Sequence, residues 1–131
     1  MTRHLNPLAL VACKQRVGKE DANAVALPLM CHFDAAHRGQ CTGSGANHLT
    51  THLIIASYIA AATKSKAFHD LVTKAYAMLR KAAARPTKLL DLTTAEYAAL
   101  KQAFAWYLRA LPQIEVGLLA QACAAAEKAM A

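Results

Sequence analysis

The sequence has little that interrupts a helix: 5 Gly and 4 Pro in 131 residues. It is also poor in aromatic residues (3 Phe, 4 Tyr, 1 Trp) and in acids, with 8 Asp and Glu against 15 Lys and Arg. No apolar run approaches the ~18 residues of a membrane span. The run Leu8–Ala12 before Cys13 imitates a lipoprotein cleavage box, but it falls short of the roughly 7–15 apolar residues of a signal-peptide core. A membrane partner is therefore not expected, and a cytoplasmic setting is. Motifs for common chemistries are missing too: there is no G-x-S-x-G, no phosphate-binding glycine loop, no dinucleotide fingerprint and no C-x-x-C pair. None of the four glutamates is followed by histidine three residues on, which excludes the di-iron bundle signature. Catalysis is accordingly not expected.

Alanine fills 31 positions, and 56% of the chain is apolar. Alanine is the strongest intrinsic helix former and a poor strand residue, so the composition points to an all-α fold. A chain of this length builds one core, and residues 1–131 read as a single helical domain. A first helix opens at Asn6-Pro7 and stops near Gly18. A second spans about Lys19 to His37, with Pro28 expected to kink or break it and Gly39 to supply its C-terminal stop. Residues 39–45 read as a flexible loop.

A third helix begins near Asn47. Leu49, Leu53, Ile54, Ile55, Tyr58 and Ile59 cover most of its circumference, so residues 48–62 are the expected centre of the bundle. The apolar stripe then rotates, which suggests a turn at Thr63–Ser65 with Ser65 capping a fourth helix over Lys66–Ala84, one long bent helix being the alternative. Residues 86–92 form a connector after Pro86. Thr93-Thr94-Ala95-Glu96 is a capping box that opens a helix reaching Leu111, and Pro112 separates it from a last alanine-rich segment. The sum is a bundle of five to six helices.

Charge is concentrated in two places. Residues 1–19 hold four cations and no acid, and residues 64–88 hold seven cations and one acid. Lys74, Lys81 and Arg85 share a flank of the fourth helix, and Lys14, Arg16 and Lys19 join them if the first helix packs alongside. Such a face would bind phosphates without reading sequence, so nucleic acid or a nucleoprotein assembly is the expected partner. Tyr76, on the same helix, is placed to stack on a base. The competing expectation is a helical adaptor or homo-oligomer acting through residues 113–131, where Leu118, Leu119, Ala122, Cys123, Ala126 and Met130 form a face of small and apolar side chains.

Ligand-type side chains are densest at residues 31–52. His48 and His52, four apart on a helix, can face one way, Cys41 lies in the loop before them, and His37 or Cys31 could complete a tetrahedron around zinc. The spacing departs from the short C-x2–4-C clip, so no metal is favoured. Cys31 and Cys123 are expected to be buried as small hydrophobes. Cys41 with His48 or His37 is the one Cys–His pairing that could act as a nucleophile, though nothing in the sequence orients the base.

The opening Leu5-Asn6-Pro7-Leu8-Ala9, the Leu49-x-x-x-Leu53 helix and the Leu92-Thr93-x-x-Glu96 box together resemble a group of short helical proteins carried by proteobacterial prophages and integrative elements. The resemblance implies a bacterial, cytosolic, mobile-element setting. It carries no functional residues with it.

Overall fold

A computed structural model describes residues 13–131. Five α-helices lie in this span: α1 (Gly18–His37), α2 (Gly43–Ala62), α3 (Lys66–Ala83), α4 (Thr94–Ala110) and α5 (Val116–Met130), with a 3-10 turn at Leu111–Gln113. The fold is an all-α bundle, as the composition requires. The helix expected from Asn6 lies outside the described residues except at its end, where Cys13 and Lys14 are helical. Among the described residues no helix is long and apolar enough to cross a membrane.

The central helix is α2, which touches each of the other four. Its buried residues Leu49, Leu53, Ile55, Ala56 and Ile59 point in several directions, and that spread of apolar side chains is what lets it be surrounded. By contrast α3 is two-sided. Phe68, Val72, Ala75, Leu79 and Ala82 are buried in a stripe, while the opposite side is polar. The α3 stripe packs on α2 and α4, and α5 packs on α2 through Ala122 and Ala126.

The helix starts reflect local chemistry. Ser65 accepts from Phe68 N, and Thr93 and Glu96 form the reciprocal capping box. The turn between α2 and α3 falls at residues 63–65, so the two helices are separate. Two sequence expectations are corrected. First, of the kink or break expected at Pro28 the break is absent, since α1 runs through it as one helix. Pro28 and Ala24 are both exposed, so the Ala24 carbonyl that loses its helical donor faces water. Second, the loop expected over residues 39–45 is shorter, because α2 starts at Gly43 and not near Asn47. Thr42 is its cap and accepts from Gly45 N at 3.1 Å, which fixes the helix four residues early.

Short extended pairings tie the loops at both ends of the bundle. Leu90 N donates to Cys41 O, and Leu92 N to Ala36 O, joining the 86–92 connector to the end of α1. At the other end Val17 N donates to Ile114 O and Val116 N to Gln15 O. Side-chain periodicity cannot reveal such backbone pairings.

Candidate functional site

The six basic residues expected to make one face are divided by the fold. Residues 13–17 lie along residues 113–117, where the Arg16 guanidinium donates to the Gln113 carbonyl. Lys19 stands at the start of α1, and α1 makes no contact with α3. At the opposite end of α4, Arg85 grips Glu96 through both guanidinium nitrogens, at 2.6 and 2.7 Å, and also donates to the Asp91 carbonyl. Arg16 and Arg85 are thus held at the two ends of a helix of 17 residues, about 25 Å long at 1.5 Å per residue. Arg85 is withdrawn from the expected phosphate-binding face because the buried Glu96 carboxylate needs it. The paired guanidinium holds Glu96 down at about 2, with the Thr93 backbone N–H helping.

What remains on α3 is more coherent than the expected six. Lys66, Lys74, Arg80 and Lys81 are all exposed and fall within about 120° of arc opposite the buried stripe. Lys64 and Lys88 flank the helix, and Asp70 is its only acid. Ion pairs among the described residues join Arg38 to Asp34 and Arg85 to Glu96; the cations of α3 take part in neither. Arg80, Lys66, Lys64 and Lys88 were legible in the charge count of residues 64–88, but single-flank reasoning left them out.

Between α2 and α3 lies a cleft of about 380 Å³, walled by Leu53, Ile54, Val72 and the half-open rings of Tyr58 and Tyr76. Ala61 lines it and also lines a more open depression walled by Lys64, Lys66 and His69. This continuity is tertiary and has no sequence signal beyond the position of Tyr76.

The Cys/His cluster assembles differently from the expected metal set. His32, His48 and His52 form a tilted stack, with ring centroids 4.8 and 4.7 Å apart, and His52 Nδ1 lies 2.8 Å from the Tyr107 hydroxyl. Burial raises the Tyr107 pKa, so the hydroxyl keeps its proton, and it shares one hydrogen bond with the His52 ring. Burial, and then His48, push His52 down to about 4. Burial, and then His32, lower His48, whose Nε2 is buried without a hydrogen-bond partner. His37 is elsewhere, stacked on Tyr97 with centroids 3.9 Å apart.

The three rings are tilted 46° and 49° to one another. Among the described residues no three His, Cys, Asp or Glu side chains are placed to hold a metal ion, so the set Cys41, His48, His52 and His37 does not form. Cys41, expected in a flexible loop, is buried beneath the α2 start, and burial raises its thiol pKa, the reverse of nucleophile activation. Cys31, expected to be buried, is exposed, and Cys123 is half-buried. Cys31 lies on the outward side of α1, while the neighbouring His32 turns inward to the stack. In comparisons with protein-family models, with curated proteins and with solved structures, the chain matches none.

Proposed function

We propose that the protein binds a polyanion, nucleic acid or a nucleoprotein surface, through the solvent face of α3, without reading base sequence. The observation that carries this reading is the row Lys66, Lys74, Arg80 and Lys81 on one two-sided helix, flanked by Lys64 and Lys88 and accompanied by the single acid Asp70. Like charges held this close repel one another, and a phosphate backbone relieves the repulsion while releasing counterions. The row extends over fifteen residue steps, about 22 Å of helix, so several successive phosphates can be met at once. α3 carries no Asn or Gln to meet base edges, which favours backbone contact over sequence readout.

The test is fluorescence anisotropy with labelled DNA over a series of salt concentrations. Four phosphate contacts give log K against log salt a slope of about −3.6 on duplex DNA. The Lys74→Glu/Lys81→Glu variant should weaken binding to all sequences alike, while Lys101→Glu on α4 should leave it nearly unchanged. Absence of binding at low salt, or binding with no salt slope, overturns the reading.

A protein–protein role has its own support on α1, more strongly than on the expected residues 113–131, where Val116 and Met130 are each 39% exposed. Leu27 is 69% and Met30 42% exposed, and Cys31 lies beside them. Large apolar side chains clustered on an outer helix face mark a contact surface. Sedimentation of the wild type against Leu27→Glu tests it, since a monomer in both cases removes self-association through α1.

A further inference from the structure

The α2–α3 cleft and its neighbouring depression differ in chemistry yet meet at Ala61. No charged side chain lines the cleft, whose walls are aliphatic and aromatic and carry the hydroxyls of Ser57, Tyr58, Thr73 and Tyr76. Tyr58 and Tyr76 are each 36% exposed, so both rings are open to a ligand. Tyr58 is steadied by Gln121, whose Oε1 accepts from its hydroxyl at 3.4 Å. The depression, in contrast, is walled by Lys64, Lys66 and His69. A flat, mostly apolar group joined to an anion fits the pair of spaces.

Duplex DNA does not offer that combination, because its bases are stacked inside and only phosphates face outward. A single strand offers a splayed base beside each phosphate, and aromatic side chains beside a cationic track are the usual platform for one. A fatty acid would also place an anion at the lysines. However, its alkyl chain would gain nothing from the hydroxyls on the cleft wall, whereas base edges supply donors and acceptors for them. We infer that the α2–α3 cleft receives an unstacked base of single-stranded nucleic acid, stacked on Tyr58 or Tyr76, with the adjoining phosphates on Lys64 and Lys66. The inference rests on the proposed role of α3 and narrows its ligand to single strands.

The experiment compares three labelled probes against the full-length protein at fixed low salt: a short oligothymidylate, an abasic strand of equal length, and a mixed-sequence duplex. Oligothymidylate should bind at least about fivefold more tightly than the abasic strand, the worth of one stacked base. Tyr58→Ala/Tyr76→Ala should close that gap while leaving abasic and duplex affinity unchanged, and Tyr58→Phe/Tyr76→Phe should retain it. Unchanged abasic and duplex affinity shows that the alanine pair is folded, and the phenylalanine pair isolates ring stacking while the hydroxyls of Ser57 and Thr73 remain for the base edge.

If all three probes bind alike, the base site is overturned and the cationic role of α3 stands. If none binds, both are overturned. Oleate binding that the alanine pair abolishes, with no preference for oligothymidylate, would assign the cleft to an anionic lipid and overturn the inference.

Discussion

Glu96 is the residue on which the α3–α4 corner depends. It closes the capping box through the Thr93 N–H at 2.9 Å and neutralises Arg85, while its side chain is only 4% exposed. A buried carboxylate tolerates that position only because every oxygen finds a donor. Its folded pKa, about 2, lies below the ordinary 4.5, so the native state binds its proton less readily than the unfolded chain. The associated stability is fully present above about pH 4.5 and is lost as pH falls through about 2. Glu96→Gln should cost about 2–3 kcal/mol at pH 7 and much less near pH 2, as read from urea unfolding at both pH values.

His52 acts in a higher window. Its value is depressed from 6.5 to about 4, so its contribution is whole above about pH 6.5 and declines as pH falls towards 4. The groups around it are His48 on its own helix, His32 beyond that ring, Tyr107 from α4, and Cys123 of α5, which lies near Tyr107. Thermal melting at pH 7 and pH 4.5 should show a drop that the variant His52→Gln reduces.

At the scale of elements, the two ends of α2 are set by single residues. At its start Gly45 is the one residue that fits. A Cβ there would come within 2.7 Å of Cys41 Sγ and 2.9 Å of His32 Nδ1, so the α1–α2 approach requires its absence. Gly45→Ala should therefore destabilise by about 1–3 kcal/mol, although alanine is the better helix former, as measured by chemical unfolding. At the other end Lys64 holds φ 56, the left-handed conformation that glycine adopts most cheaply. Lys64→Gly should leave stability equal or raise it by up to about 1 kcal/mol. It should also lower affinity for oligothymidylate, if the lysine stands there for the ligand. Anisotropy and unfolding on the same variant separate the two effects.

Across the whole molecule, the polar machinery is divided by side. The histidine stack and Cys41 lie where α1, α2 and α4 meet, and the cations lie on the outer face of α3, which α1 does not reach. Acid charges the buried His52 and His48 against their surroundings, so it should loosen the α1–α2–α4 contact before it loosens the packing of α3. Hydrogen exchange at pH 5 should show amide protection falling first in α1 and the start of α2, with α3 retaining its own. Uniform loss of protection would mean that the bundle opens as one unit.

The sequence by itself determined the helices and most of their boundaries, the start of α2 and the passage of α1 through Pro28 excepted. Alanine content, the capping residues Ser65 and Thr93, and the apolar circumference of residues 48–62 act within a few positions of the chain, and local physics is legible locally. It also determined that cations gather on the helix after Ser65. What tertiary structure decided is which of those cations are free. Arg85 looks like its neighbours in sequence, but Glu96, eleven residues later, is folded back onto it.

The histidines show the same division. His48 and His52 face one way, as their spacing dictates. Their third neighbour is His32, brought in by the α1–α2 packing beside Cys41, while the expected partner His37 stacks on Tyr97 instead. The α2–α3 cleft belongs wholly to packing, since its two tyrosines lie eighteen residues apart in the chain. Helix propensity acts between residues one turn apart, whereas ion pairs, ring stacks and clefts depend on which faces the compact core brings into contact.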